Sequence, residues 1–287
     1  MDRQVSTLQV GEYVLEYSIV GGGVPLLFFH GGHSNCYEEF GYQNLVASGY
    51  SIITPSRSGY SRTSSIAELE QACGLYLSLL DHLHIAKAHV IAASAGGPTG
   101  ILFCATYAER VASLTLQSAI TSPWLSPHDW AYRIFRRIFK PGVEKWTWLL
   151  LARINNLLPR LTFRLLLFSF STLSPAEAYA RLDGLAIESF RKMNNRQRSY
   201  NGFLIDLKQA QADYTKALRS IKAPTLIMHS KNDRSVAPKH AEYATAHIAH
   251  AEACILDAWG HLIWIGKHTA ELDRKQNAFL AEHLIQS

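Results

Sequence analysis

Between residues 4 and 120, short apolar runs alternate with amphipathic stretches. Residues 4–20 form two extended runs on either side of Gly11, which predicts an N-terminal hairpin. PLLFFH (25–30) is an apolar run that stops at Gly-Gly, the pattern of a buried strand entering a turn. SIIT (51–54) predicts another short strand, and the loop PSRSGYSRTS follows it. Ile66, Leu69, Cys73, Tyr76, Leu80 and Leu83 recur at steps of three and four, which predicts a helix over 66–84. AHVIAA (88–93) then reads as strand, GPTGILFCATYA (97–108) as helix and VASLTLQSAI (111–120) as strand.

The alternation stops there. Residues 122–220 contain no convincing strand, only amphipathic helical stretches such as WAYRIFRRIF (130–139). It resumes with APTLIMHS (223–230), a helix through HAEYATAHIA, a strand ACILD (253–257) and a C-terminal helix from about His268. Strands alternating with helices imply an α/β fold with a mostly parallel, doubly wound sheet. The expected organisation is a core of residues 1–121 and 221–287 with a helical cap, residues 122–220, inserted over the carboxyl edge of the sheet.

The 287-residue length suits one large domain, and 48% hydrophobic residues suffice for a large core, which excludes a disordered chain. Cys36, Cys73, Cys104 and Cys254 have no metal-type or redox-type spacing and read as free thiols. MDRQVSTLQV has no apolar segment of the signal-peptide kind, so the expected location is cytoplasmic. The greasiest stretch, residues 146–170, is broken by Arg153, Asn155, Asn156, Pro159, Arg160 and Arg164, too often for a spanning helix. Charge is unevenly placed: residues 121–222 carry a net +10 and the remainder a net −5. Two modules with different surroundings are implied.

The candidate chemistry lies at strand ends. Ala92-Ala93-Ser94-Ala95-Gly96 has the small-x-Ser-x-small pattern of a nucleophile elbow, with alanine where the first glycine is usual. A serine capping a helix gives the same pentapeptide, so position decides: Ser94 ends one predicted strand and opens a predicted helix. Tight packing against the helix, rather than a positive φ, is the constraint expected at position 92, so alanine is tolerated there. Asp233, in HSKNDRSVAP, follows the strand 223–230, and His261, in DAWGHLIWIG, follows the last strand. Each alone has an ordinary explanation, a turn aspartate or a loop histidine. Together they give the chain order Ser, Asp, His, and loops at the carboxyl ends of parallel strands converge. A serine hydroxyl needs a histidine to take its proton, and the carboxylate orients and stabilises that histidine. The oxyanion of an acyl intermediate needs N–H donors, for which the candidates are Ala95, after the nucleophile, and Gly32, in His30-Gly31-Gly32, with His33 as the alternative.

These landmarks, HGG (30–32), SRSGYSRTS, ASAGG (93–97), HSKNDRSVAP and GHLIWIG, resemble the α/β-hydrolase superfamily over residues 25–270, nearly the whole chain. Ala92 for glycine and Ser230 where the acid loop more often has glycine are the departures. The resemblance implies a helical cap after the sixth strand and a serine hydrolase acting on esters or related acyl compounds of small to medium apolar substrates, with no cofactor. A serine nucleophile argues against haloalkane dehalogenase and epoxide hydrolase, which use aspartate. Carbon–carbon bond hydrolases share the triad but often have tryptophan after the histidine, where this chain has Leu262. A lactonase, thioesterase, acyltransferase or non-catalytic small-ligand receptor remains an alternative.

Other residues change the picture less. His82, His84 and His89 straddle a helix end and a strand start, so no metal site is expected of them. Arg57, Tyr60 and Arg62 read as structural, beside the oxyanion turn. Trp124 and Trp264 are candidates, with His33, to wall the substrate pocket, and core packing explains the two tryptophans equally well. The basic, Leu- and Trp-rich cap suits a lid over an apolar substrate. It also suits peripheral contact with an anionic membrane, while solvated basic faces on lid helices are the plainer reading. No nucleic-acid-binding module is recognisable.

Overall fold

A computed structural model describes residues 2–285. The first half runs β1 (Arg3–Val10), β2 (Tyr13–Val20), β3 (Val24–Phe29), α1 (Tyr42–Ala47), β4 (Tyr50–Pro55), α2 (Leu69–His82), β5 (Ala88–Ala93), α3 (Gly97–Thr106) and β6 (Val111–Gln117). Seven helices follow: α4 (Trp130–Ile138), α5 (Glu144–Leu157), α6 (Pro159–Phe170), α7 (Pro175–Ala180), α8 (Ala186–Arg196), α9 (Gly202–Gln209) and α10 (Thr215–Ser220). The chain closes with β7 (Thr225–Ser230), α11 (Lys239–His247), β8 (Ala251–Leu256) and α12 (Thr269–Glu282).

The eight strands form one sheet in the order β1-β2-β4-β3-β5-β6-β7-β8. β1 and β2 are a hairpin and β2 pairs antiparallel with β4; every later pairing is parallel. β5 and β7 are buried at every position, as expected of strands covered on both faces. One face packs on α2, α3 and α11 through residues such as Leu79, Ile101 and Ala244. The other packs on α1 and α12 through residues such as Leu45, Phe279 and Leu280. From β3 the chain turns to β4 on one side and later to β5 on the other. Such a reversal opens a crevice at the carboxyl ends of the two strands, where ligands bind in open α/β sheets.

The alternation of the sequence therefore translates into layers as expected, with some element bounds shifted. The helix expected over 66–84 begins only at Leu69 because the backbone of Ile66 is tied to the preceding loop, its N–H donating to Ser58 Oγ at 2.6 Å and its carbonyl accepting from the same hydroxyl at 2.8 Å. β6 stops at Gln117 rather than at residue 120 because Ser118 takes a left-handed φ of 47° and its hydroxyl donates to the His261 carbonyl. The segment between β6 and β7 holds helices and their connecting loops, with one isolated bridge between Ser171 and Asp233.

Candidate active site

Ser94 stands between β5 and α3 with φ at 49°, the left-handed backbone that L residues avoid unless the surroundings impose it. A short helical turn over Ser94–Gly96 and a hydrogen bond from the Ile120 N–H to the Ser94 carbonyl at 3.0 Å hold it. The strand must lie close to α3, and alanine at position 92 is admitted by glycine at position 100. A methyl on Gly100 would start 2.4 Å from the Ala92 Cβ, so the space the motif usually leaves at residue 92 is supplied from the helix. Ala92 itself has no positive φ, in keeping with a packing constraint.

Ser94, Asp233 and His261 come together. His261 Nε2 accepts from Ser94 Oγ at 2.9 Å, and His261 Nδ1 donates to Asp233 Oδ2 at 2.7 Å. Asp233 and His261 are buried, while Ser94 is half-buried. Burial opposes the charge of Asp233, but His261 and His229 beside it outweigh it and hold the carboxyl below its usual range. His229 Nε2 lies 3.2 Å from Asp233 Oδ2, and the Val236 N–H donates to Oδ1 at 2.9 Å. Both oxygens of the acid are therefore fixed.

The oxyanion candidates face the same serine. A side chain on Gly31 would start 3.3 Å from the Ser94 Cβ, and one on Gly32 would start 3.6 Å from the Ala95 Cβ and 3.4 Å from the Phe203 ring. Ala95 is the second residue of a helical turn, where N–H groups lack intrahelical acceptors. The His33 N–H is engaged by the Tyr60 hydroxyl at 3.2 Å, which leaves Gly32 as the better second donor.

Arg57 fixes this turn from behind. Its Nε donates to the His30 carbonyl at 2.7 Å, and its Nη2 to the Gly31 carbonyl at 3.3 Å. His30 Nδ1 donates to the same Gly31 carbonyl at 2.8 Å, and its Nε2 accepts from the Arg57 N–H. Burial and the Arg57 charge push the His30 pKa well down, consistent with this neutral bonding pattern. In a planar trans peptide the Gly31 carbonyl and the Gly32 N–H point opposite ways, so pinning one aims the other. Arg57 is balanced by Asp206 of α9 through two hydrogen bonds, at 2.5 and 2.8 Å, and Tyr60 adds a third to Asp206 at 2.6 Å. The helical segment thus supplies the counter-ion of the arginine that braces the Gly31–Gly32 turn.

The other candidates divide. The His33 ring packs among Phe139, Trp148 and Phe203 and is bonded to Ser199; desolvation, aided by Arg57, pushes its pKa down to about 3. Trp124 packs beside Ala95, Ile120 and Val236, its indole N–H on the Ser235 carbonyl at 2.8 Å, and so borders the serine. Trp264 stacks on Phe40 and donates to Gln117, contacts of the packing behind the histidine loop. His89 is bonded to Ser113 inside β5 and β6, and among the described residues no group of three or more His, Cys, Asp or Glu could hold a metal.

Three features were not read from the sequence. His229 is a polar residue in a strand of buried ones, a signal that was available. Asp206 is a lone acid between Phe203 and Leu207 on an apolar helix face, which also signals a buried ion pair. The carboxyl end of α6 gave no signal: the Phe170 carbonyl accepts from the N–H groups of Arg234 and His261, and Ser171 Oγ donates to the Trp259 carbonyl. A methyl on Gly260 would start 2.5 Å from the Phe170 oxygen, so the glycine before the histidine admits this strap.

Comparison with known proteins shows the family. The chain is 53% identical over 273 residues, 94% of itself and 96% of the relative, to a protein described as uncharacterized hydrolase YcgS of Bacillus subtilis (strain 168). It is 23% identical over 272 residues, 90% of itself and 88% of the relative, to the 2-hydroxy-6-oxo-6-phenylhexa-2,4-dienoate hydrolase of Comamonas testosteroni. An alpha/beta hydrolase fold protein from Nakamurella multipartita superposes with a TM-score of 0.80 at 24% identity, over 96% of this chain and 99% of that one. With residues 26–272 matching the family as a whole, the chain belongs to the alpha/beta hydrolase family.

Proposed function

We propose that this chain is a serine hydrolase that cleaves carboxylic esters, or related acyl compounds, of small to medium apolar substrates. The continuous hydrogen-bonded line from Ser94 through His261 to Asp233 carries the reading. In this mechanism His261 Nε2 takes the proton of Ser94 as its oxygen attacks the acyl carbon. Asp233 stabilises the imidazolium, and the N–H groups of Gly32 and Ala95 bind the oxyanion. His261 then protonates the departing alcohol, and a water activated by the same nitrogen releases the acid from Ser94. The helical segment 122–220 acts as a cap whose Trp124, Phe139 and Phe203 wall the site.

A carbon–carbon bond hydrolase is the second reading, favoured by the Comamonas relative, whose named substrate is a dienoate. A carboxylate substrate calls for a free cation. Beside the oxyanion turn, Arg57 is neutralised by Asp206, Arg198 by Glu144, and His33 is held neutral. That charge balance supports a neutral ester over a dienoate.

The test is hydrolysis of a p-nitrophenyl ester series from acetate to laurate, with Ser94→Ala as control. Turnover that falls on the order of 10⁶ in the variant supports the reading. A variant that keeps near-normal turnover refutes Ser94 as nucleophile, and a wild type inert on every ester refutes the esterase.

A further inference from the structure

Among the described residues, twelve of the seventeen large hydrophobic side chains that are exposed lie between Trp130 and Phe168, on α4 to α6 and the turns joining them. They include Trp130 (74% exposed), Trp146 (68%), Leu150 (61%), Leu157 (80%) and Leu165 (65%). A monomer seldom leaves so many together, and their spacing is not random. On α5, Trp146, Leu149, Leu150 and Leu157 follow one helical face; on α6, Leu161, Leu165 and Phe168 do the same. The opposite faces are already used. α5 and α6 pack on each other and on α8, with Trp148, Phe163 and Leu167 turned inward.

The charge on this face has one sign. The stretch from Trp130 to Phe170 contains eight basic residues, all exposed: Arg133, Arg136, Arg137, Lys140, Lys145, Arg153, Arg160 and Arg164. None of the eight is in an ion pair among the described residues. The one acid, Glu144, is buried and holds Arg198. Basic residues that cover an apolar core as a plain solvated face would not alternate with bare tryptophan and leucine.

We propose that this face of α4 to α6 docks on an anionic lipid surface. Tryptophan and leucine would enter the boundary between headgroups and acyl chains while the arginines and lysines meet lipid phosphates. A second copy of the chain is the poorer occupant, because two such faces set together would oppose seven net positive charges with seven more. No helix among the described residues is long and apolar enough to cross a membrane, so the contact is peripheral. The proposal concerns a surface apart from Ser94 and stands whether or not the ester reading holds.

The experiment is co-sedimentation of the full chain with phosphatidylcholine vesicles, with and without phosphatidylglycerol, at low and high salt. Sedimentation equilibrium without lipid runs alongside. The expected result is binding only to the anionic vesicles, weakened by salt. Neutralising Arg136→Gln, Arg137→Gln and Lys140→Gln together should cost roughly a hundredfold in partitioning, at about fivefold per charge. Trp146→Ser with Leu150→Ser should weaken binding while leaving the charge intact. All five positions are exposed, so these variants keep the fold, which circular dichroism checks. No binding, equal binding to neutral vesicles, or binding that survives both sets of substitutions overturns the proposal. So does a dimer that dissociates on Trp146→Ser in a chain that ignores vesicles.

Discussion

Asp206 sits on α9, in the segment between β6 and β7, and its removal should disturb chemistry it does not touch. Arg57 and Asp206 are 2% and 4% exposed at the side chain and share two short hydrogen bonds. Burial opposes the guanidinium charge, and the Asp206 carboxylate raises its pKa in compensation. Asp206→Asn leaves that cation buried without its counter-ion, a change that costs about 3–5 kcal/mol in folded proteins. The lower end is expected here, since the amide oxygen still accepts one hydrogen bond. A released Arg57 also loosens the Gly31 carbonyl, which keeps only His30 as a donor. Removing an oxyanion donor outright costs on the order of 10²–10³ in kcat, so misaiming one should cost about 10- to 100-fold, with KM little changed. Urea unfolding gives the first quantity, and ester turnover under conditions where the variant is fully folded gives the second. Arg57→Met with Asp206→Leu separates the roles. Apolar replacement of a buried pair commonly restores stability, yet turnover should stay low because no guanidinium braces the His30 and Gly31 carbonyls and only the His30 ring still donates to the latter. A stable double variant with normal kcat would refute the positioning of the oxyanion turn by Arg57.

Three other outcomes can be measured directly. Gly100→Ala sets two methyl carbons 2.4 Å apart and should destabilise by about 1–3 kcal/mol or more, with Ala92→Gly rescuing it; independent effects in the double variant would show that the elbow is not packed this way. Burial lowers His33 to about 3 and His89 and His240 to about 4, from an ordinary value near 6.5. The unfolded chain therefore takes up protons below 6.5 that the folded chain refuses, so stability is full above that pH and falls as pH drops toward 4. A decline steeper than about 1.4 kcal/mol per pH unit is expected between pH 6 and 5, since more than one group contributes, and a flat urea midpoint from pH 7 to 5 would contradict it. Asp233, with its lowered pKa, adds a loss at more acid pH, below the ordinary carboxylate range. Gly260→Ala drives a methyl into the Phe170 carbonyl and should lower kcat by shifting His261; unchanged turnover would show that the α6 strap does not set the histidine.

The sequence by itself determined the layers and the order of the chemistry. Apolar runs such as AHVIAA and TLIMHS are legible as buried strands because burial on both faces removes polar positions from them. Ser94, Asp233 and His261 are legible because each follows a strand of the series, and chain order with strand polarity is enough to bring loop ends to one edge. The sequence also held the greasy, basic stretch of α4 to α6, but could not say which of its side chains face outward. Only the tertiary structure decided contacts between residues far apart in the chain. Asp206 meets Arg57 across 149 residues, Ser171 reaches Trp259 across 88, and Gly100 makes room for Ala92 across a strand–helix interface. Periodicity records which face of an element is apolar, a local property. Which particular group lies against that face depends on how the layers are stacked, and that is fixed only when the whole core closes.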